Sequence, residues 1–344
     1  MDSQVVVRPL SDPRWSTFVA GHPAALPFHH PSWAGMLAEC YRFRAFCLTV
    51  DGPDGRILAG VPVVEVPRWR GGPKWVSLPF TDVCPPLTTE DVHVDVAGQL
   101  DEARRVFGVG RMEVRAEVRG PAVQPSAAFL THELPLAGAD ADVFARLHPS
   151  QVRRNVRRAE RAGVVVREGT VEADLTEVFY RLHTRTRHRL GVPVQPPAYF
   201  RLLWRRVLAP RHGVVLVAEV DGTAVAAGVF LASAGVCVYK YGASDERRWD
   251  ARPNHLLFWR AIRWAIARGC RTFHFGRTDF GDAGLRTFKS YWGTVERQLT
   301  YSVLSDRPEP PGREGLPGPV RAVIRHGPRI VPRAAGILLY RYTA

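Results

Sequence analysis

The chain has 344 residues, 46% of them hydrophobic, and carries 47 Lys and Arg against 33 Asp and Glu for a formal net charge of +14. It is too long for one ordinary core and apolar enough to fill two, which excludes a disordered chain and predicts a globular protein of two domains. The opening MDSQVVVRPL lacks a basic region followed by an apolar run, and no stretch approaches the roughly 18 apolar residues of a membrane span, so a cytoplasmic protein is expected.

In the first half, VVVRPL reads as a strand, the stretches around Trp15 and SWAGMLAECY as helices, and RAFCLTV with RILAGVPVVEV as a hairpin across Asp51 to Gly55. KWVSLPF is a third strand, VAGQLDEARRVFG a helix, and RMEVRAEV and AFLTHELPL the last strands. The second half repeats this order with clearer punctuation. A basic helix over about 142 to 162 leads through Gly163 into the β-branched strand VVVRE, then come helices near 174 to 190 and 198 to 209 around the loop GVPVQPP. Three strands follow, GVVLVAEV, TAVAAGVFLAS and GVCVYKYG, the first two joined by the turn pair Asp221-Gly222. In DARPNHLLFWRAIRWAIARG, Pro253 stands where a helix can begin and Gly269 where it can end. CRTFHFG alternates as a strand, DAGLRTFKSYW is a short helix, and TVERQLTYSVL closes as a strand.

Two copies of one mixed α/β unit are therefore expected: 1–145 as the first domain and 146–305 as the second, with the tail 306–344 returning to the first. The tail begins as a Pro/Gly linker and ends in a basic, partly helical stretch that would pack on the first domain or meet a membrane surface.

The positive charge favours an anionic partner, and Arg153, Arg154, Arg157, Arg158 and Arg161 stand at spacings that place most of them on one broad helix face suited to phosphates. The ordinary reading is a solvated face in an Arg-rich chain. Only three lysines occur, at 74, 240 and 289, and Lys289 follows the glycine-rich bend GRTDFGDAG. The five cysteines contain no Cys-x-x-Cys pair and the histidines are scattered, so neither a disulfide framework nor a bound metal is expected. Phosphate-loop, His-Glu-x-x-His and nucleophile-elbow patterns are absent from the sequence.

The order of elements is similar to that of the GNAT acyltransferase fold, and its tandem copy resembles the FemABX family of aminoacyl-tRNA-dependent peptidyltransferases. The residues that carry the resemblance are Tyr-Gly-Ala-Ser at 241–244, Arg-Pro-Asn at 252–254, Phe-Gly-Arg at 275–277, and Phe288-Lys289 followed by Trp-Gly. HPSQVRRNVRRAERAGVVV resembles the family's opening of its second domain, and SLPFTD at 77–82 a loop of its first. The match is good over about 146 to 305 and thin elsewhere. It implies tandem GNAT-like domains, each a mostly antiparallel twisted sheet flanked by helices. It also implies transfer of an amino acid from a charged tRNA to an amine, often the lysine of a cell-wall peptide. No bound cofactor is implied: aminoacyl-tRNA is the co-substrate and a lipid-linked or otherwise anionic peptidoglycan precursor the acceptor. A monomer is expected, in the cytoplasm or peripheral at the inner membrane face.

An aminoacyl ester is already activated, so the site must position the reactants, take a proton from the amine and stabilise the oxyanion. Lys289 suits the oxyanion or a tRNA phosphate, against a plain surface lysine. Asp82 (from the resemblance), Asp279 (from position) and Asp282 are base or amine-holding candidates, although Asp beside Gly ordinarily makes turns. Phe288 would stack on the terminal adenine, or be core. Tyr241 and Tyr239, on alternate strand residues, should share a face, with Tyr241 taken as the cleft residue because it carries the match. Arg277 would hold substrate, Arg187 and Arg189 a substrate phosphate or carboxylate, against a merely solvated helix end, and Arg153, Arg154, Arg157 and Arg158 the nucleic acid. The competing reading is an acyl-CoA N-acyltransferase on the same fold. Against it, Ala251 and Pro253 occupy the two glycine places of the pyrophosphate loop in RWDARPNH. A third reading is a catalytically silent RNA-binding or scaffold protein, which would bind without turnover.

Overall fold

The computed structural model describes residues 4–68, 72–90, 94–307, 318–328 and 331–341. Its contacts divide the chain into two compact units: unit 1 is 1–130, 298–314 and 340–344, and unit 2 is 131–297 and 315–339.

Unit 1 contains β1 (Gln4–Pro9), α1 (Pro13–Gly21), α2 (Pro31–Tyr41), β2 (Arg44–Asp51), β3 (Ile57–Val66), β4 (Lys74–Val76), β5 (Leu87–Thr88), α3 (Val96–Val106), β6 (Arg111–Val114) and the first part of β7 (Val123–Pro135). Its strands are ordered β1-β2-β3-β4-β6, with only the β4–β6 pair parallel. The β2–β3 hairpin turns at Gly55, whose φ of 76° needs no side chain. Phe46, Val61, Trp75, Met112 and Val114 make its core with Leu100 and Ala103 of α3.

In unit 2 the elements are α4 (Asp140–Arg146), α5 (Arg154–Arg161), β8 (Val165–Glu168), α6 (Tyr180–Leu190), α7 (Pro197–Leu203), β9 (Gly213–Val220), β10 (Thr223–Ser233), β11 (Val236–Ser244), α8 (Pro253–Ala267), β12 (Thr272–Thr278) and α9 (Ala283–Ser290). β13 (Val295–Ser305) has residues in both units, and α10 (Gly318–His326) and α11 (Val331–Leu339) follow it. The strand order is β7-β12-β11-β10-β9-β8. The β8 to β11 pairs are antiparallel and β11–β12 is parallel, as a crossover through α8 requires. Leu216 and Ala218 of β9, Phe230 of β10 and Phe273 and Phe275 of β12 are buried under Leu257, Phe258, Ala261, Ile262 and Ala265 of α8. The expected sequence of strand, two helices, three strands, helix, strand, helix, strand is the one observed.

Three expectations change. The single basic helix over 142 to 162 is broken, because Pro149 pushes His148 into an extended conformation (ψ 124°). A new helical segment then starts, with His148 Nδ1 accepting from the Gln151 N–H. Unit 1 gives way to unit 2 at Leu130, within β7, earlier than 145. The tail is divided rather than joined to unit 1. Ile324 is buried, the Val194 N–H donates to Pro332 O at 2.9 Å, and His188 Nε2 lies 2.9 Å from Gly327 O, so 315–339 group with unit 2. Most of the expected Pro/Gly linker, 308–317, lies outside the described residues.

Candidate functional site

A cleft opens in unit 2 where β11 and β12 part. The two strands pair over Val236–Val238 with Thr272–His274, yet β11 runs on to Ser244 and β12 to Thr278. Two local features accompany the separation. On β11 a bulge makes Lys240 the extra residue in the register with β10, with Tyr239 opposite Phe230 and Tyr241 opposite Val229, which bends the strand. On β12, Gly276 adopts φ 74° and its N–H turns to His274 Nδ1 at 2.9 Å. The resulting cavity, about 470 Å³, is walled by Tyr239 and Gly242 of β11, Phe275 of β12, Leu257 and Phe258 of α8, Phe288 and Lys289 of α9, and Arg189 of α6.

Lys289 is buried (3% exposed). Its Nζ donates to the carbonyls of Gly276 and Arg277, both at 3.0 Å, the partners a buried ammonium requires. The helix that carries it is started by Asp282, whose carboxylate accepts from the Leu285 N–H at 2.9 Å. The left-handed turn at Gly276 thus accompanies the carbonyl geometry that holds the ammonium in the cavity wall. His132 on β7 is fully buried, 3.9 Å from Glu296, and Glu296 takes two 2.7 Å bonds from Arg286. Burial first, and then the charge of Lys289, lowers the His132 pKa to about 4, so its ring is neutral at pH 7.

Phe288 is half-buried, its ring edge-on to His255 at 5.8 Å and to Trp292 at 6.2 Å. It faces both the first cavity and a second one of about 560 Å³, which Gln151, Arg154, Asn155, Arg252, His255, Thr287 and Tyr291 also line. Arg154 continues into an open hollow shared with Arg153, Arg157 and Arg161. Arg154, Arg157 and Arg158 are exposed and Arg153 is half-buried, while Val152, Val156 and Ala159 on the inner face join the core. Arg158 is not among the residues lining that hollow.

Tyr241 and Tyr239 do not share a face. The bulge at Lys240 shifts the alternation, so Tyr239 packs on Phe258 of α8 at 4.7 Å and lines the cavity. Tyr241 turns to α6 and α7, its hydroxyl 2.7 Å from that of Tyr199 and its ring against His183 and Phe200. Arg277 is half-buried and contributes its carbonyl to Lys289. Arg187 does not line the cavity: its Nε donates to Pro193 O at 2.8 Å and ties down the Pro-rich loop. Its neighbour Arg189 does, stacked 4.7 Å over Trp249 and 3.2 Å from Glu246. Asp279 is exposed and its carbonyl closes a turn by accepting from the Asp282 N–H at 3.0 Å. Asp82 lies half-buried in unit 1, its carbonyl accepting from Tyr301 Oη at 2.6 Å. Asp279 is thus absent from the cavity wall, and among the described residues no carboxylate lines it.

Sequence reasoning weighed Tyr239 and Arg189 but preferred their neighbours Tyr241 and Arg187, and it did not single out Trp249 or His255. Trp249 stands in the RWDARPNH stretch, which drew notice for its missing glycines, its Arg-Pro-Asn match and its helix start, but not for the tryptophan. Here a 3₁₀ turn, Glu246–Ala251, leads to Arg252 at φ 58° and then to Pro253 as the first residue of α8. Pro253 offers no N–H at this helix end, and Arg252 beside it lines the cavity. Burial lowers the His255 pKa to about 4, which leaves a neutral ring beside Phe288.

A sheet whose parallel strands part over a cavity, with a helix beginning at its mouth, is the arrangement of the GNAT fold. Residues 146–290 match the acetyltransferase (GNAT) domain family. The UDP-N-acetylmuramoylpentapeptide-lysine N(6)-alanyltransferase of Weissella viridescens is 26% identical over 178 residues, 48% of this chain and 52% of that protein. The chain thus spans about half the length of that curated relative. The fold is shared with the crystal structure of FemX at a TM-score of 0.69, with 14% identity over 88% of this chain and 97% of that one. It is also shared with a tandem GNAT protein of the clavulanic acid biosynthesis pathway at 0.51, with 12% identity over 90% and 100% of the two chains. Over residues 146–290 the chain is thus similar to GNAT acetyltransferases, and over about half its length to a FemX-type alanyltransferase.

Proposed function

We propose that this chain transfers an amino acid from aminoacyl-tRNA to an amine of a peptidoglycan precursor. The observation that carries the reading is the unit 2 cavity, where the Lys289 ammonium is pinned to two carbonyls and the wall continues past Phe288 and Arg252 to Arg154. An ester entering this cavity would develop its negative charge near a fixed cation, where a desolvated charge has the most effect. The exposed Arg154, Arg157 and Arg158 suit the phosphates of a tRNA acceptor arm, and Phe288 its terminal base. The turn before α8, with Pro253 at its first helical position and Arg252 in a left-handed conformation, supports this donor over acyl-CoA, whose pyrophosphate would need the missing backbone donor.

The amine acceptor comes from the name of the Weissella viridescens relative. A lipid-linked precursor would bring the protein to the cytoplasmic face of the membrane as a peripheral contact. Among the described residues no helix is long and apolar enough to cross a membrane.

The test incubates the purified chain with radiolabelled aminoacyl-tRNA or acetyl-CoA, each with UDP-linked muramoyl peptides bearing a free diamino-acid side chain. Label should leave the tRNA and appear on the peptide. Label taken from acetyl-CoA alone overturns the donor assignment, and binding without turnover of either points to a silent RNA-binding protein.

A further inference from the structure

The bulge at Lys240 places a hydroxyl in the cavity that the reading above does not use. Tyr239 lies on the β11 wall, its ring held edge-on by Phe258 at 4.7 Å and tilted on Phe230 at 5.7 Å. The free end of the side chain passes over Gly242: a Cβ at that glycine would collide with the Tyr239 hydroxyl. Both residues line the cavity, and among the described residues the hydroxyl has no hydrogen-bond partner. A tyrosine hydroxyl inside a protein ordinarily finds a partner, so one facing a cavity without a partner is placed for an atom that arrives from outside. Burial pushes the phenol up to about 12. It therefore keeps its proton across the neutral range and can donate a hydrogen bond but not serve as a base.

We propose that Tyr239 Oη donates a hydrogen bond to the carbonyl oxygen of the acyl group in the cavity and stabilises the oxyanion formed when the acceptor amine attacks. The proposal rests on the acyl-transfer reading of this site and adds a catalytic residue to it. In the step, the amine nitrogen bonds to the carbonyl carbon and the carbon–oxygen bond to the ribose breaks. The proton lost by the amine ends on the ribose oxygen, and Tyr239 keeps its own proton throughout. Lys289 commits two of its protons to the carbonyls of Gly276 and Arg277. A neutral donor on the β11 wall complements that cation without disturbing either bond.

Tyr239→Phe removes one oxygen and leaves the ring packing intact. Turnover should fall by about 10²- to 10³-fold, the size seen when one oxyanion donor is lost, with KM and melting temperature nearly unchanged. Gly242→Ala should also lower turnover, by displacing the hydroxyl and the ring end that carries it, and should cost less when added to Tyr239→Phe, where only the displacement of the ring end remains. The proposal is overturned if Tyr239→Phe keeps turnover within about threefold, or if Gly242→Ala costs as much in the Tyr239→Phe background as alone. It is likewise overturned if the loss follows the melting temperature, as it would for a packing residue.

Aminoacyl-tRNA and acetyl-CoA are run in parallel with the wild type and both variants. If the wild type consumes acetyl-CoA alone, the donor assignment fails, and Tyr239 stands or falls on acetyl-CoA turnover. If the wild type consumes neither, the acyl-transfer reading and this proposal fail together.

Discussion

Replacing Lys289 by methionine keeps most of the aliphatic stem and deletes the ammonium. The side chain is 3% exposed and its Nζ serves the carbonyls of Gly276 and Arg277 at 3.0 Å each, so the change removes a charged donor from both. Each such bond contributes about 1.5–3 kcal/mol, offset in part because the ammonium no longer has to be kept out of water. A net loss of about 2–4 kcal/mol follows, which in a unit of this size lowers the melting temperature by about 5–10 °C. Turnover, measured well below both melting transitions, should fall by about 10²- to 10³-fold if the ammonium faces the developing oxyanion. Lys289→Arg keeps the charge, but its planar fork does not match two carbonyls reached by one Nζ, so it should restore stability and turnover only in part. Thermal denaturation and single-turnover transfer on one preparation separate the outcomes. An unchanged melting temperature refutes the buried bridge, and a lower one with normal turnover makes Lys289 a strut between α9 and β12. A raised KM that low salt repairs, with turnover kept, assigns it to a tRNA phosphate.

Replacing Arg154 and Arg157 together by alanine should weaken tRNA binding and reduce the slope of log affinity against log salt by about 1–2, read by filter binding across a salt series; an unchanged slope removes α5 from the interface. Acid should destabilise the fold before its carboxylates titrate. Folded His29, His132 and His255 have pKa values lowered to about 4 and His183 to about 3, from 6.5, with burial as the first cause in each. The unfolded chain takes up these protons as pH drops through 6.5 and the folded chain does not until about 4. Their stabilising contribution is therefore complete above pH 6.5 and is lost between 6.5 and 4, each ring costing about 1.4 kcal/mol for every pH step of one in that window. Melting temperature should decline steadily from pH 7 to 5, less so in His132→Phe; a flat profile would show these rings to be solvated. Arg252→Gly should leave stability equal or higher by about 1 kcal/mol, since φ 58° suits glycine, while donor KM rises about tenfold; unaltered donor binding would make Arg252 only the residue that starts α8.

What the sequence made legible, and what it hid, can be traced to particular residues. Strand and helix order in unit 2 follows from local signals: the Asp221-Gly222 pair adopts positive φ at both residues, as a two-residue hairpin turn demands, and Pro253 begins α8 as its fixed φ allows. Pro149 was equally visible, but five arginines at helical spacing suggested one continuous helix and masked the break that a proline imposes on the residue before it. Asp279 and Asp282 read from the sequence as base or amine-holding candidates, with turn formation as the ordinary alternative; Asp279 closes such a turn and Asp282 caps α9.

The face of a strand residue is a parity, and one inserted residue reverses it. The run VYKYG reads as alternation with both tyrosines on one side, and nothing in it marks Lys240 as the extra residue; the bulge is specified by the pairing with β10, a strand whose register the sequence of β11 does not contain. Tyr241, which carries the family resemblance, consequently packs with Tyr199, and Tyr239 faces the cavity. Lys289 escaped this ambiguity because its rarity among 47 basic residues singled it out without any register. Its partners are backbone carbonyls, however, and carbonyls leave no trace in a sequence. The glycine at 276 was visible, but not the left-handed turn that accompanies their approach to the ammonium, so the residue could be found from the sequence and its fixed charge only from the fold.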